Sequence, residues 1–249
     1  MKLNLLIISI TPSLAFLMWI YFKDKYEKEP IKFLAKLFFI GILISIPAIA
    51  IEDLLLKIKV NNEYLNLFYI AFIVAASTEE TLKYIVLIGY TLKSKYYTEK
   101  LDGIVYSIFI TLGFATVENI IYIFYENYLS LLEIGLSRAI IAIPGHIMFS
   151  IAMGYYLSIY KFNSKNKKEN KINLFKILFI PIILHGIFDF LLMIKTTWAT
   201  VLFLLYLIYL WKISLDKVDI YTDYARKRFI RLRTRRKRKW SIGVIKWDI

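Results

Sequence analysis

The feature that most constrains this chain is a charged stretch inside an apolar run. Residues 65–92 are long and apolar enough to cross a bilayer, yet Glu79, Glu80 and Lys83 lie near the middle of the run. One charged side chain at the centre of a membrane helix costs roughly 2.5–3.5 kcal/mol on insertion scales. A segment that served only as an anchor would carry leucine there, so the run predicts a role that needs charge within the membrane.

The spacing of these three residues allows two interpretations. On a helix, Lys83 can reach both Glu79 and Glu80, because residues three and four positions apart are neighbours on one face. The two glutamates themselves point about 100° apart, so that one can pair with the lysine while the other faces a neighbouring helix. The first interpretation is a structural ion pair that holds helices together, and the second is a functional site.

The composition is that of a membrane protein. Of the 249 residues, 59% are hydrophobic, and the mean hydropathy of +0.57 is far above that of a soluble domain. Polar or charged connections separate seven apolar runs, namely 4–22, 33–56, 65–92, 103–125, 136–160, 174–194 and 198–213. We therefore expect an all-α polytopic membrane protein, a bundle of about seven transmembrane helices. The chain has no cysteine, which excludes disulfides, thiolate metal sites and a cysteine nucleophile.

Positive charge is unevenly distributed over the connections. The loops after the first, third and fifth runs and the C-terminal tail hold most of the lysine and arginine, whereas the loop 126–133 has none. The positive-inside rule then predicts an outer N-terminus and an inner C-terminus in the cell (cytoplasmic) membrane. Residues 1–214 would form the transmembrane bundle, with a motif-bearing core at 65–194. The basic tail, 215–249, would contact anionic lipid and no specific nucleic acid.

Ionisable side chains inside other apolar runs include Glu118, His146, His185 and Asp189. The two histidines are the only ones in the chain. The expected topology places all four at depths similar to that of the glutamate pair. Ion pairs that formed independently would have no reason to lie at the same depth. A shared site could use a glutamate as general base on water and the histidines as donors to a developing oxyanion.

The same side chains could hold a metal ion, because carboxylates and imidazoles are ordinary zinc ligands. A metal-dependent site would use Glu79, Glu80, His146 and His185. No two histidines have close ligand spacing, however, which favours metal-free catalysis without a cofactor. The His-Glu-x-x-His, Gly-x-Ser-x-Gly and Gly-x-Gly-Asp motifs of other proteases are all absent from the sequence. A glutamate enzyme that activates water is the class that remains.

The motifs resemble those of the PrsW family of intramembrane proteases, which is distantly similar to type II CAAX prenyl proteases. The resemblance covers about residues 24–190, and the motifs occur in the family's order. They are the stretch from Asp24 to Pro30, Glu79-Glu80-x-x-Lys83, Asp102-Gly103-x-x-Tyr106, Gly113-Phe114-Ala115-x-x-Glu118-Asn119-x-x-Tyr122, Arg138-Ala139 ahead of His146, and His185-Gly186-x-x-Asp189-Phe190.

The resemblance implies proteolysis of a membrane-anchored protein, typically a single-span anti-sigma factor, near the extracytoplasmic face. It implies that Glu79 and Glu80 activate water and that Glu118 and His146 assist. His185 and Asp189 would complete the site.

The resemblance also implies supporting roles for Lys83, Phe114 and Asn119, while Arg138 is expected either to pack near the site or to contact the residues that form it. Two other functions stay open from the residues alone. One is a proton- or cation-coupled carrier, since buried carboxylates and histidines also make relays, although no internal repeat is evident. The other is a non-catalytic membrane scaffold.

Overall fold

The computed structural model describes residues 2–125, 135–162 and 167–244. The helices, in chain order, are α1 (Lys2–Lys23), α2 (Ile31–Leu55), α3 (Glu63–Phe68), a first π-helical segment (Tyr69–Ser77), α4 (Thr78–Thr91), α5 (Lys100–Tyr125), a second π-helical segment (Arg138–Ala142), α6 (Ile143–Phe162), α7 (Lys167–Ile194) and α8 (Thr197–Val244). Within these ranges there is no strand, and the all-α prediction is confirmed. The loop 126–133, part of the basic loop 161–171 and the last five residues of the tail lie outside the described residues.

Five of the described helices are long and apolar enough to cross a membrane: Ile31–Leu55, Lys100–Tyr122, Gly135–Phe162, Glu169–Ile194 and Thr197–Thr234. A shorter apolar helix, Ile7–Lys23, corresponds to the first expected span. The remaining expected span is the stretch from α3 to α4. It is helical throughout, but it changes from α-helix to π-helix and back, and it carries the charged residues. The prediction of a multi-pass helical membrane protein is confirmed.

Helix α5 is the centre of the bundle and packs against α1, α2 and α6. It is buried over nearly its whole length, whereas α2, α7 and α8 expose large apolar side chains such as Phe39, Ile183 and Leu205. A soluble protein would leave such surfaces in water at a large cost, but lipid tails solvate them. The buried helix therefore presents its polar residues to the interior of the bundle.

Close glycine contacts hold α5 against its neighbours. A Cβ at Gly41 of α2 would overlap the carbonyl oxygen of Ile110, and one at Gly113 of α5 would overlap that of Phe38. Gly103 and Gly154 make the same reciprocal contact between α5 and α6. Small residues at crossings are typical of membrane helices, because they let backbones approach where no hydrophobic effect drives association.

Helix α8 is 48 residues long and runs without a break across the expected boundary between bundle and tail at 214/215. Its first part packs on α6 and α7, and its later part carries the basic residues. The division of the chain at this boundary stays a prediction.

Candidate active site

The glutamate pair begins α4, directly after the first π-helical segment. Glu79, Glu80 and Lys83 are 5%, 1% and 1% exposed, respectively. The Lys83 ammonium lies 2.8 Å from Glu79 Oε2 and 2.8 Å from Glu80 Oε1, so that one cation bridges both carboxylates. It also lies 4.5 Å from the centre of the Phe114 ring. The cost of burying two carboxylates is offset by a cation held between them.

A chain of contacts joins α4 to α7 through His185. Its Nδ1 lies 3.1 Å from Glu80 Oε1, and its Nε2 lies 3.2 Å from Asp189 Oδ2, one helical turn further along α7. The ring of Phe149 stacks on this imidazole with centroids 4.7 Å apart and planes 17° apart. A histidine held between two carboxylates and an aromatic face has a fixed orientation.

His146, near the start of α6, lies between two other carboxylates. Its Nε2 is 2.8 Å from Glu118 Oε2, and its Nδ1 is 3.8 Å from Glu79 Oε2. Nδ1 is buried and has no hydrogen-bond partner among the described residues. The two imidazole rings lie 5.6 Å apart, centre to centre. Each histidine thus lies next to one glutamate of the pair.

Arg138 contacts the residues of the site from the side. Its Nη2 lies 3.3 Å from Glu118 Oε1, and its Nε donates to Asn119 Oδ1 at 2.6 Å. The guanidinium also sits over the Tyr122 ring at 4.0 Å. Arg138 therefore lies where it can balance the charge of Glu118.

Asn119, in turn, links the site to the N-terminal helix, because its Nδ2 donates to the backbone carbonyl of Ser9 at 3.3 Å. The amide is 1% exposed. Asn119 therefore lies between Arg138 and the N-terminal helix, and its supporting role stays a prediction.

These side chains surround a cavity of about 460 Å³. The polar residues of its wall are Glu52, Glu79, Glu118, Arg138, His146, His185 and Asp189. Apolar and aromatic side chains of α2, α5, α6, α7 and the two π-helical segments complete the wall. Glu80 and Lys83 do not line the cavity and lie behind Glu79 and His185. The adjacent glutamates, which the sequence treats alike, thus have different positions.

Glu52 is the residue of this wall that the sequence analysis missed. It lies near the C-terminal end of α2. The one available signal was an acidic residue inside the apolar run 33–56, next to the equally acidic Asp53. Nothing in the sequence distinguishes the residue that faces the cavity from the one that is exposed.

Three of the four candidate metal ligands form a compact group. Glu79, His146 and His185 each offer one ligand atom, and these atoms lie within 4.8 Å of one another. The unpartnered Nδ1 of His146 is a free donor of the kind that zinc binds. The residues therefore fit a zinc ion. Glu80 does not belong to this group, because its carboxylate is bound to Lys83 and His185.

Comparison with known proteins identifies the family. The family model described as PrsW family intramembrane metalloprotease matches residues 29–213. The chain belongs to the PrsW family. The Protease PrsW of Clostridioides difficile (strain 630) is 47% identical over 239 residues, which cover 96% of this chain and 100% of the relative. No solved structure matches the chain.

Other PrsW relatives cover the chain almost as fully. The Protease PrsW of Geobacillus kaustophilus (strain HTA426) is 33% identical over 90% of this chain and 94% of its own length. That of Bacillus subtilis (strain 168) is 31% identical, with 84% and 91% covered. The predicted family and the multi-pass membrane location are thus confirmed, and the chain is an intramembrane protease. The family description includes a metal, which the sequence alone treated as the less favoured alternative.

Proposed function

We propose that this PrsW protein hydrolyses a peptide bond of a membrane-anchored protein with water that a glutamate activates. The observation that carries the proposal is the meeting of carboxylates and imidazoles from five helices on one cavity inside an apolar bundle. Of the adjacent pair, Glu79 is the better placed to act as the base, because it lines the cavity whereas Glu80 does not.

In this mechanism Glu79 takes a proton from water, and the water oxygen attacks the carbonyl carbon of the substrate. His146 is flanked by Glu79 and Glu118, and its Nδ1, which has no hydrogen-bond partner among the described residues, would donate to the oxyanion as an N–H group. The proton on Glu79 then passes to the amide nitrogen as the carbon–nitrogen bond breaks. Lys83 lies against Glu79 and Arg138 against Glu118, and each cation stabilises the carboxylate beside it while that carboxylate is ionised.

A second group of residues in the site holds the reacting groups in position. Glu80 and Asp189 hold His185 from opposite sides of its ring, and His185 lies against His146. We propose that Phe114 holds the Lys83 ammonium and that Asn119 orients Arg138. Both are positioning residues in this scheme.

A metal-assisted form of the same reaction is the second candidate, and the compact group of Glu79, His146 and His185 supports it. Zinc bound there would polarise a carbonyl and lower the pKa of a bound water to about 7. Glu79 would then be a ligand, and Glu118, which lines the same cavity, would accept the proton from water.

We propose a single-span protein such as an anti-sigma factor as the substrate, cleaved near the extracytoplasmic face. The cavity wall supports this location: it includes Glu52 and Leu56 at the end of α2, Tyr122 near the end of α5 and Arg138 ahead of α6. In the topology expected from the basic loops, all of these helix ends lie on the outer side. The basic residues late in α8 would then contact anionic lipid on the inner side.

Cleavage of a model single-span substrate by protein reconstituted in liposomes tests the proposal. Replacing Glu79 by glutamine should slow cleavage by about 10²–10⁴-fold, because it removes the base but keeps the shape. Glu63→Gln, an exposed glutamate at the start of α3, is the matched control and should cleave at the normal rate. Cleavage by Glu79→Gln at the normal rate would reject the role of Glu79.

The same reconstituted protein and substrate test whether cleavage needs a bound metal ion. Cleavage that survives a chelator, by protein without bound metal, supports direct activation of water by Glu79. Stoichiometric zinc that is lost in His146→Ala and His185→Ala, together with cleavage that a chelator stops, supports the metal-assisted form.

A further inference from the structure

One carboxylate of the cavity wall has no part in the proposed chemistry. Glu52 lies near the C-terminal end of α2 and lines the cavity beside the catalytic residues. Its Oε1 is buried and has no hydrogen-bond partner, and among the described residues its side chain forms no ion pair. The residue as a whole is half-buried. Leaving a partly buried carboxylate without a partner costs free energy, and a cation that enters the cavity would lower that cost.

The other carboxylates of the cavity wall all have a basic partner. Glu79 is 2.8 Å from the Lys83 ammonium, and Glu118 is 3.3 Å from the Arg138 guanidinium. Asp189 is 3.2 Å from His185. Glu52 is the exception in this wall. The charges of Glu79 and Glu118 repel its own, and those of Lys83 and His185 attract it without forming an ion pair with it. A positive charge is thus the missing complement at this end of the cavity.

The surroundings of Glu52 restrict the shape of that complement. The cavity wall next to it contains Ile49, Leu56 and Ile70, which are all apolar. A lysine or arginine side chain matches this arrangement, because its methylene groups contact apolar surface while its charged end reaches a polar group. A small inorganic cation would leave the apolar wall unused.

We propose that Glu52 is a specificity-determining residue that binds a lysine or arginine side chain of the substrate close to the cleaved bond. This inference rests on the proposed function and adds the substrate class: single-span proteins with a basic residue next to the cleavage site. Glu52 itself takes no part in bond breaking, so its removal should weaken the binding of basic substrates and leave the chemical step intact.

The test uses two model single-span substrates that differ at one position. A lysine is placed in turn at each residue around the cleavage site, and the best such substrate is paired with its glutamine counterpart. Glu52→Gln should raise KM for the lysine substrate by about 10- to 100-fold with little change in kcat, which is the size of effect expected for a buried charged hydrogen bond. The glutamine substrate should be cleaved alike by both proteins.

Two variants control for indirect effects. Asp53→Asn removes the adjacent carboxylate, which is exposed and does not line the cavity, and should leave both substrates unaffected. Glu52→Lys should reverse the preference, so that a substrate with glutamate at the same position is cleaved better than the lysine substrate. Such a reversal would show a charge contact with the substrate, because damage to the fold would not create a preference for glutamate.

Binding measured without cleavage makes the inference independent of the proposed chemistry. The affinities of the lysine and glutamine substrates are compared in the Glu79→Gln background, with and without Glu52→Gln. Tighter binding of the lysine substrate that disappears with Glu52→Gln supports the inference even if the protein cleaves neither substrate. Equal affinities in all four combinations, or an equal fall in kcat for both substrates in Glu52→Gln, would overturn it.

Discussion

Two regions of this molecule bury several carboxylates, and they differ in how the charge is balanced. In the active site, Lys83 and Arg138 and the two histidines lie within 4 Å of the carboxylates. The second region is the acidic cluster, formed by Asp24 and Glu29 in the connection between α1 and α2 and by Glu99 and Asp102 at the start of α5. These four are 4% exposed or less, and each has a side-chain oxygen without a hydrogen-bond partner.

The acidic cluster has little positive charge of its own. Arg228 of α8, with a third of its side chain exposed, lies 3.4 Å from Glu99 Oε2 and 2.7 Å from Glu27 Oε2. Burial raises the pKa of Asp24 to about 6 and the pKa values of Glu29 and Glu99 to about 7. Buried carboxylates in this protein are thus stabilised in two ways, by fixed cations in the active site and by retained protons in the acidic cluster.

The largest expected difference between the regions is in cleavage. Glu118→Gln removes a carboxylate that holds His146, and we expect cleavage to fall about 10²-fold or more. Glu99→Gln removes a carboxylate of the acidic cluster and should change the rate by less than about threefold, because it is remote from the cavity. The measurement is the rate at which each variant cleaves one model substrate in liposomes. Similar losses of rate in both variants would mean that the cluster belongs to the catalytic machinery.

The next largest difference should be in how much the cations of the two regions contribute to the stability of the fold. Lys83→Met leaves two buried carboxylates unpaired and should lower the free energy of unfolding by about 3–5 kcal/mol. Arg228→Met removes a partly exposed ion pair, which is worth about 1 kcal/mol or less. Denaturant titration in detergent measures both, with the exposed Lys57→Met as the control. A larger loss for Arg228 than for Lys83 would reverse the comparison.

Helix α5 joins the two regions, and its glycines test them separately. Gly113→Ala forces α5 away from α2 near the active site, and Gly103→Ala forces it away from α6 near the cluster. Each should destabilise the protein by about 1–3 kcal/mol, and only Gly113→Ala should also slow cleavage more than its loss of folded protein explains. Gly89→Ala, where a Cβ meets nothing within 4 Å, is the control and should be neutral. Equal kinetic defects in the first two variants would contradict this separation.

The last prediction concerns pH and the acidic cluster. Because the pKa of Glu29 is raised from 4.5 to about 7, the folded protein holds a proton that the unfolded chain has lost. Stability should therefore fall as pH rises from about 4.5 to 7, by up to about 1.4 kcal/mol per pH unit for each such group. Glu29→Gln, which has no proton to lose there, should flatten the fall measured by thermal unfolding between pH 5 and 8. An unchanged slope would contradict the retained proton, and Glu63→Gln is the exposed control.

Much of the fold follows from local properties of the sequence. The apolar runs predict the helices closely because a backbone inside lipid must satisfy its own hydrogen bonds, which a helix does. The run 33–56 became α2 at Ile31–Leu55, and the run 198–213 became the first part of α8. The π-helical segments ahead of Glu79 and His146 were not predicted, because they depend on how neighbouring helices pack rather than on the composition of the segment.

The sequence by itself determined that this is an all-helical membrane protein, which family it belongs to and which polar residues are candidates for the site. Only the tertiary structure decided that Glu79 lines the cavity while Glu80 holds His185, that Arg138 lies against Glu118, and that Glu52 reaches the same cavity. The physical reason is that the rotation of each helix about its axis decides which side chain faces inward. That rotation is set by contacts between helices, such as the close approach of Gly41 and Gly113, which are far apart in the sequence.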